Sequence, residues 1–367
     1  MTIDPDMHEL DLMNAHVTVE THQPIKSLRF LGRIDQDRLN PGLLGVYFSI
    51  KGQAKILLKE YTAGITYLRQ SIEEYEKDLP NTFLQIAWNR LRLGTAFYEQ
   101  GNITQAIEEH KVCLKAVLEK NIEDRRFCLK TFLKMGDNYF LLGRKENALE
   151  CYRQALNLAN LAEDHEDLAD LFLGIGLVYR DHANLARAKL YLGKSLQKYI
   201  ELGDMLQAGK ACSLLGLILS EREEFEAAEQ VLKKAFNRGE ALENRGLIVQ
   251  TSASTYLAAL YNRQGKWVEA EKWGMLSLEY ATRLEGRLLL SQAQAQLAEI
   301  KLNLGKEAEA FELFNLAVTN IEQTTILKVS SQIYYRYGTA LKQVGRLQEA
   351  FVMLKKACLV RLYHIEP

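Results

Sequence analysis

A sequence repeat of 40 to 42 residues runs through most of the 367-residue chain and limits the folds open to it. The segments LRLGTAFYEQGNITQAIEEHKVCL and LKMGDNYFLLGRKENALECYRQAL are two clear copies. Successive copies are 42, 42, 40, 40, 42, 40 and 40 residues apart, counted between a small anchor residue in each. The anchors are Gly52, Gly94, Gly136, Gly176, Gly216, Ala258, Ala298 and Gly338. A fixed period of this length is typical of an array of similar units stacked side by side.

The composition favours helices within each unit. The chain has five prolines and none between residues 81 and 366, so no proline interrupts a helix there. Hydrophobic residues make up 47% and charged residues 25% of the chain, as in an ordinary globular protein. The formal net charge of -1 provides no overall basic field for a polyanion, so we do not expect direct binding to nucleic acid.

Cysteine usage and the N-terminal sequence bear on the cellular compartment. The five cysteines are widely spaced and form no C-x-x-C pair, which argues against a disulfide framework or a zinc site. The first twenty residues are rich in acidic side chains and contain no long apolar run, unlike a secretory signal or a membrane-spanning helix. We therefore expect a cytoplasmic protein that does not enter a membrane.

Each copy has the pattern of two helices joined by a short turn. An apolar or aromatic residue follows the anchor by three positions, as on one face of a first helix, helix A. Twelve positions after the anchor a small residue recurs, and a large residue follows four later, as on one face of a second helix, helix B. Seven positions after the anchor, where a left-handed residue would end helix A, five copies have a glycine. These turn glycines are Gly101, Gly143, Gly265, Gly305 and Gly345.

The order of these residues, a small anchor followed by Tyr, Gly, Ala, Phe or Tyr, and Ala, resembles the tetratricopeptide repeat family. The units here are longer than the family consensus and lack the proline that often closes a repeat. Units of 40 to 42 residues are similar to those of bacterial peptide-pheromone receptors of the Rap and PlcR type. The resemblance implies an all-α fold, a right-handed α-solenoid of about eight helical hairpins with helix A on the concave wall.

The repeat predicts three regions. Residues 44–360 form the eight repeats, and residues 361–367 form a short C-terminal tail. Residues 1–43 do not fit the repeat and are predicted to form one or two irregular helices that cap the first unit. Solenoids need a polar capping helix at their ends for solubility, and none follows the last unit. We therefore expect either a truncated chain or a homodimer in which a second copy covers the C-terminal repeat.

No combination of residues in the sequence indicates catalysis. Gly174-x-Gly176 lacks the third glycine of a dinucleotide-binding loop, and no strand precedes it. The acidic run from Glu163 to Asp167 lies where it would cap the next helix, which favours capping over metal binding. His110 stands where helix B holds a large core residue, so a packed histidine is favoured over a catalytic one. We expect a protein that is not an enzyme and needs no cofactor or metal.

The concave wall should carry the binding residues. With about 100° per residue, positions -6, -3, +1 and +4 from the anchor cluster near about 80°, on a different face from the core stripe. These positions are mainly apolar in repeats two to four and mainly polar in repeats five to eight. The predicted groove residues are Trp88, Leu91, Tyr98, Lys130, Asp137, Phe140, Arg180, Lys210, Ser213, Asn262, Gln292, Gln332 and Tyr335. The alternative, which the sequence leaves open, is that several of them pack against helix A of the next repeat and belong to the core.

Two functions remain open for such an array. The first is a receptor: the sensor or interaction domain of a bacterial regulatory protein that binds a short peptide or a partner segment in its groove. The resemblance to bacterial pheromone receptors, and hence to quorum sensing, implies this function, and the gradient from apolar to polar groove residues favours it. The second is a scaffold that joins partner proteins or dimerises without a ligand-driven change, which the uncapped last repeat favours.

Overall fold

The computed structural model describes residues 5–77, 82–120, 124–160, 163–284, 286–323 and 327–362. These ranges consist of α-helices and their turns, with short 3-10 turns at Gln36–Arg38 and Glu243–Gly246, and they contain no strand. The predicted all-α fold of TPR-like helical hairpins is thus confirmed. No helix in these ranges has the length and hydropathy that crossing a membrane requires.

Eighteen α-helices follow one another in the described residues. Two precede the repeats, α1 (Pro5–Glu20) and α2 (Pro24–Leu31). The hairpins are α3 (Pro41–Leu57) with α4 (Tyr61–Glu76), α5 (Phe83–Glu99) with α6 (Ile103–Glu119), α7 (Arg125–Leu141) with α8 (Lys145–Leu158), α9 (His165–Asp181) with α10 (Leu185–Glu201), α11 (Met205–Glu221) with α12 (Phe225–Ala241), α13 (Leu247–Arg263) with α14 (Trp267–Arg283), α15 (Arg287–Asn303) with α16 (Glu307–Glu322), and α17 (Leu327–Gln343) with α18 (Leu347–Leu362). The first member of each pair is helix A and the second is helix B.

The turns inside the hairpins share one backbone conformation. Each turn has three residues, and the middle residue has a positive φ, as at Gly101 with 82° and Gly143 with 73°. The N–H of the third turn residue donates to a carbonyl five residues earlier, as Asn102 does to Phe97 at 2.8 Å. This is the Schellman motif, which satisfies carbonyl groups at the end of helix A. In three hairpins the left-handed residue is not glycine. These residues are Lys59, Ala183 and Glu223.

The anchor residue marks the closest approach of helix B to helix A. A Cβ atom added to Gly176 would lie 2.9 Å from the side chain of Leu192, and one added to Gly216 would lie 2.5 Å from that of Leu232. The small residues at position +12, such as Ala188, are fully buried in the same interface. A glycine anchor therefore leaves room for the large residue sixteen positions later, and this packing explains why the two residue types recur together.

The chain consists of two compact units, unit 1 (Met1–Asn138) and unit 2 (Tyr139–Pro367). In unit 1, α1 and α2 pack on α3, and α3 to α6 pack on one another in chain order. In unit 2, α8 to α18 pack on their neighbours in chain order, and the A helices α11, α13, α15 and α17 also contact one another. These four A helices of unit 2 therefore form one continuous wall.

Helices α1 and α2 cover the first hairpin with apolar side chains. Leu12, Leu31 and Ile50 are all nearly fully buried in one cluster with Tyr47. The Ser27 hydroxyl donates to the carbonyl of Ala15 at 2.8 Å and ties α2 to α1. Residues 5–31 are thus two regular helices that bury one side of α3.

Candidate functional site

Unit 2 contains a cavity on its wall of A helices. It has a volume of about 330 Å³ and lies among α9, α11, α13, α15 and α17. We name it the Gln292 cleft, and its lining is Arg180, Leu217, Ser252, Thr255, Tyr256, Ala259, Leu289, Gln292, Gln296, Val329, Gln332, Ile333, Tyr335 and Arg336. The structure thus brings four of the predicted groove residues together from three separate repeats: Arg180, Gln292, Gln332 and Tyr335.

Both arginines of the Gln292 cleft are already paired. Arg180 binds Glu221 through Nη2 and Nε, at 2.7 and 3.0 Å from Oε1. Arg336 binds Glu299 in the same two-pronged way, at 2.6 and 2.7 Å. Burial acts to lower the pKa of Arg180, but the hydrogen bonds and charge of Glu221 outweigh it and raise the pKa above its usual value. The cleft therefore presents little uncompensated charge.

Two amide side chains of the Gln292 cleft have no hydrogen-bond partner among the described residues. They belong to Gln292 on α15, which is half-buried, and to Gln332 on α17, which is exposed. The hydroxyls nearby are occupied, since Ser252 donates to the carbonyl of Ile248 at 2.9 Å and Thr255 to that of Thr251 at 2.7 Å. Each free amide can donate and accept hydrogen bonds, as a peptide backbone does.

Unit 1 contains a larger cavity of about 780 Å³, on the side of α3 and α5 that faces α1. We name it the Arg92 cleft. Its lining is Glu9, Leu12, Met13, His16, Glu20, Leu43, Val46, Ser49, Ile50, Gln53, Tyr75, Leu84, Gln85, Trp88, Asn89, Arg92, Arg126 and Lys130. Two predicted groove residues, Trp88 and Lys130, are part of it.

A buried polar network forms the floor of the Arg92 cleft. Asn89 is 1% exposed, accepts a hydrogen bond from Ser49 at 2.7 Å, and donates one to Ser71 at 2.7 Å. Trp88 is half-buried and packs edge-on against Phe127, with 5.2 Å between ring centroids. Trp88 therefore has one side in the core and one side on the cleft, which combines the two interpretations that the sequence left open.

Two predicted groove residues do not face a groove. Leu91 is 5% exposed and its carbonyl accepts a hydrogen bond from His110 Nε2 at 3.2 Å. Ser213 is fully buried and its hydroxyl donates to the carbonyl of Gly209 at 3.0 Å. Packing around helix A covers both side chains, whereas Thr255 and Tyr335, at the same repeat position -3, line the Gln292 cleft. In the structure these two residues therefore belong to the core, which is the alternative that the sequence leaves open.

The remaining predicted groove residues lie outside both clefts and are half-buried. In unit 1, burial first and the charge of Asp137 second raise the pKa of the Tyr98 phenol, and Asp137 also lies 3.7 Å from Lys134 on its own helix. The others are in unit 2. Phe140 lies near the end of α7. Burial lowers the pKa of Lys210 on α11, although the charges of two aspartates act in the opposite direction. Asn262 on α13 accepts a hydrogen bond from Asn303 at 2.8 Å.

The titratable groups of the interior serve packing. His110 is fully buried against Gly94, as its position in the repeat predicts, and burial lowers its pKa to about 4. Burial likewise raises the pKa of the Cys113 thiol to about 12 and that of Cys151 to about 11. Among the described residues, no three His, Cys, Asp or Glu side chains are grouped so as to hold a metal ion.

Both clefts include residues at two repeat positions that the sequence reasoning missed. At position -2 these are Ile50 and Arg92 in unit 1 and Tyr256, Gln296 and Arg336 in unit 2. At position -9 the clefts include Gln85 and Leu289. On the same helical wheel these positions lie near about 160° and 180°, so the open face of helix A is wider than the predicted stripe. A charged residue two positions before the anchor, as in Arg92 and Arg336, where the fifth repeat has Leu214, is the sequence signal for this wider face.

Family models match large parts of the repeat array. A model described as tetratricopeptide repeat matches residues 127–201 and 250–323. A second model with the same description matches residues 331–362. The matched segments begin in α7 and include complete hairpins of unit 2.

The chain is also similar to two curated proteins. It is 26% identical over 190 residues to superkiller protein 3 of Schizosaccharomyces pombe, an alignment that covers 52% of this chain and 12% of that protein. It is 23% identical over 301 residues to protein kinesin light chain-related 3 of Arabidopsis thaliana, which covers 78% of this chain and 45% of that protein. The chain therefore spans less than half the length of either relative.

Solved structures match the fold over most of the chain. A Rap protein complexed with competence and sporulation factor has a TM-score of 0.73 and 15% identity, with 98% of this chain and 99% of that chain covered. The apo form of the quorum sensor NprR from B. thuringiensis has a TM-score of 0.71 and 16% identity, with 87% and 89% covered. At this identity the likeness concerns the fold. The repeat pattern, the hairpin packing and the matching family models show that the chain belongs to the tetratricopeptide repeat family, with long repeats arrayed as in the Rap and NprR structures.

Proposed function

We propose that the chain is a receptor module whose Gln292 cleft binds an uncharged stretch of an extended peptide or partner segment. The observation that carries this proposal is the pair of free amides, Gln292 and Gln332, on neighbouring A helices. An extended peptide exposes its N–H and C=O groups, and two glutamine amides can pair with both.

The lining of the Gln292 cleft favours uncharged ligand side chains. Leu217, Ala259 and Leu289 supply apolar surface for them. A charged ligand side chain would have to compete with Glu221 or Glu299 for an arginine that is already bound, and breaking a partly buried ion pair is costly. We therefore expect peptides with small apolar or polar residues to bind better than acidic or basic ones.

The fold likeness supports a peptide as the ligand. One of the similar structures is a Rap protein complexed with competence and sporulation factor, and another is NprR in complex with its cognate peptide NprX. By analogy we propose that this chain is the sensor or interaction domain of a bacterial regulatory protein that responds to a peptide signal. All five cysteines are free thiols, which fits a cytoplasmic receptor.

Fluorescence anisotropy with a fluorescein-labelled pentapeptide pool of uncharged residues tests this proposal. We compare the wild type with Gln292→Ala/Gln332→Ala and with a matched control, Gln154→Ala/Gln197→Ala, whose amides are exposed on the B helices α8 and α10. Loss of two neutral hydrogen bonds should weaken binding by about thirtyfold in the cleft variant only. Equal binding by all three proteins, or no binding by the wild type, would contradict the proposal.

A second candidate function is that of a scaffold that dimerises through α18. This helix exposes a row of apolar side chains, with Leu347 64%, Phe351 67% and Val352 49% exposed. Isolated exposed apolar residues are common on protein surfaces, but a cluster of them marks an interaction surface. Sedimentation equilibrium of the wild type and of Phe351→Ser/Val352→Ser tests this candidate: a dimer in the first and a monomer in the second would support it, and a monomeric wild type would exclude it.

A further inference from the structure

The Arg92 cleft holds a partly buried cation with little opposing charge. The Arg92 side chain is 28% exposed, and its nearest carboxylate oxygen lies 3.8 Å away on Glu20, whose side chain is 54% exposed. One guanidinium nitrogen also donates to Oδ1 of Asn89 at 3.2 Å. Burial lowers the pKa of Arg92 below its usual value, even though Glu20 and Tyr75 act in the opposite direction. A carboxylate that entered the cleft would therefore find a guanidinium whose charge is incompletely compensated.

Two more cations line the Arg92 cleft. Arg126 is exposed and Lys130 is half-buried, and neither forms an ion pair within the described part of the chain. The acidic side chains in the lining are Glu9 and Glu20, both on α1. The lining thus has three cations and two carboxylates. The one ion pair among these five side chains is the 3.8 Å contact between Arg92 and Glu20, so the cleft favours an added negative charge.

The rest of the lining favours an extended ligand with apolar groups. Leu12, Met13 and Leu84 contribute apolar surface, and the Trp88 ring lies 5.9 Å from the Arg92 guanidinium. The volume of about 780 Å³ falls in the upper part of the range of ligand pockets. The lining comes from α1, α3, α4, α5 and α7, so a ligand in the cleft can contact several helices at once, as an extended peptide segment does.

We propose that the Arg92 cleft is a second binding site, which takes an extended peptide segment through an acidic side chain. The carboxylate of the ligand pairs with Arg92 in place of Glu20, and the apolar neighbours of that acidic residue pack on Trp88. Charge-assisted hydrogen bonds to a guanidinium are stronger than neutral ones and can be two-pronged. This site lies wholly in unit 1, and its preference for acidic peptides differs from the preference of the Gln292 cleft for uncharged ones.

Two labelled peptide pools test the proposal by fluorescence anisotropy. Both have the form fluorescein-X-X-Z-X-X-amide, where X is any uncharged residue and Z is Asp in one pool and Asn in the other. The pools differ only in the central carboxylate, so a difference in binding reports the charge. We expect the Asp pool to bind the wild-type chain about tenfold more tightly or better.

Variants of the full chain locate the preference. Arg92→Gln should abolish the difference between the pools, and Lys130→Gln should reduce it. Glu20→Gln removes the competing carboxylate and should tighten binding of the Asp pool. Arg153→Gln is the matched control, because the Arg153 side chain on α8 is 61% exposed and its contact with Glu150 is long, at 4.0 Å. Circular dichroism of each variant confirms that it is folded, and Lys130→Gln and Glu20→Gln keep the test valid if Arg92→Gln does not fold.

Three results would overturn the proposal: equal binding of the two pools to the wild type, a preference for Asp that Glu20→Gln and Lys130→Gln leave unchanged, or a preference that Arg92→Gln retains when folded. The variant Gln292→Ala/Gln332→Ala separates this site from the proposed function of unit 2. It should keep the preference for the Asp pool or widen it, because the Gln292 cleft takes uncharged peptides. Loss of the preference in this variant would place acidic binding in the Gln292 cleft instead.

Discussion

His110 on α6 accepts a hydrogen bond from Asn138 on α7, with 3.0 Å between Nδ1 and Nδ2, and both side chains are fully buried. Nε2 of the same ring donates to the carbonyl of Leu91 on α5 at 3.2 Å, which fixes the neutral tautomer. In the fourth and fifth repeats the equivalent two positions hold apolar residues, Leu192 and Ile218, which lie in one buried cluster. A polar pair has therefore replaced an apolar contact in the second and third repeats, and it joins three helices.

The first prediction concerns the coupling of this pair. His110→Leu leaves the Asn138 amide without its partner, and Asn138→Ala leaves Nδ1 without a donor, so each single variant should lose about 1–3 kcal/mol of unfolding free energy. The double variant His110→Leu/Asn138→Ala restores an apolar contact and should lose less than the sum, with a coupling of about 0.5–3 kcal/mol. Urea unfolding measures all four proteins. Additive losses would show that the hydrogen bond does not link the two positions.

The second prediction is a dependence of stability on pH. Burial, with Lys134 acting in the same direction and the Leu91 hydrogen bond against it, lowers the pKa of His110 to about 4 in the folded chain. An unfolded histidine has a pKa of about 6.5, so between these values the unfolded state binds more protons. The unfolding free energy should fall as the pH drops from about 7 to 4, by a quantity on the order of 3 kcal/mol.

Urea unfolding at several pH values, for the wild type and for His110→Leu/Asn138→Ala, isolates this contribution. Carboxylates titrate in both proteins, so the difference between them reports the histidine. The wild type should lose more stability toward low pH than the double variant. Parallel curves would mean that His110 keeps an ordinary pKa in the folded chain.

The hairpins could be predicted from the sequence because their signals are local. Gly101 and Gly143 have the positive φ that their position after helix A predicts. The pairing of Gly176 with Leu192 also follows from spacing alone, since a large residue sixteen positions on needs a small anchor. Lys59, Ala183 and Glu223 adopt the same turn without glycine, and only the repeat register indicates it.

The clefts could be predicted only in part because they depend on packing between repeats. A helical wheel gives the outward face of one helix but not which flank the next helix covers. Leu91 and Ser213 are buried, whereas Tyr335, at the same position of the last repeat, is exposed and lines the Gln292 cleft. The neutralisation of Arg336 by Glu299 also joins two repeats, so no pattern within one repeat reveals it.

The third prediction concerns the three turns without glycine. A left-handed conformation costs a residue with a side chain about 1–2 kcal/mol, and glycine avoids this cost but loses more entropy on folding. Lys59→Gly, Ala183→Gly and Glu223→Gly should each raise the unfolding free energy by about 0.5–1 kcal/mol. The converse control is Gly143→Ala, where no atom lies within 4 Å of the added Cβ, so only the backbone strain is measured. A loss of stability in all three glycine variants would contradict the reasoning.

The fourth prediction concerns thiol reactivity. Cys113, Cys128, Cys151 and Cys212 are buried, and burial raises the pKa of each thiol, so few thiolates form at neutral pH. Cys358 on α18 is exposed. In the native chain one of the five cysteines should therefore react quickly with an aromatic disulfide reagent such as DTNB, and all five should react in denaturant. Cys358→Ser should remove the fast reaction, and a fast reaction that persists would show that a buried thiol becomes accessible.

The fifth prediction contrasts two glycines. Gly246, in the 3-10 turn after α12, is so close to Gly239 that an added Cβ would lie 1.8 Å from the Gly239 carbonyl oxygen. That oxygen belongs to the backbone and cannot move aside as a side chain can, so Gly246→Ala should destabilise the chain by about 3 kcal/mol. Gly193, inside α10, has no atom within 4 Å of an added Cβ. Gly193→Ala should stabilise the chain by about 0.5–1 kcal/mol, because alanine favours a helix interior. Urea unfolding followed by circular dichroism measures both variants. If Gly246→Ala lowers the unfolding free energy no more than an ordinary surface substitution does, the backbones of Gly246 and Gly239 do not approach each other this closely in the folded chain.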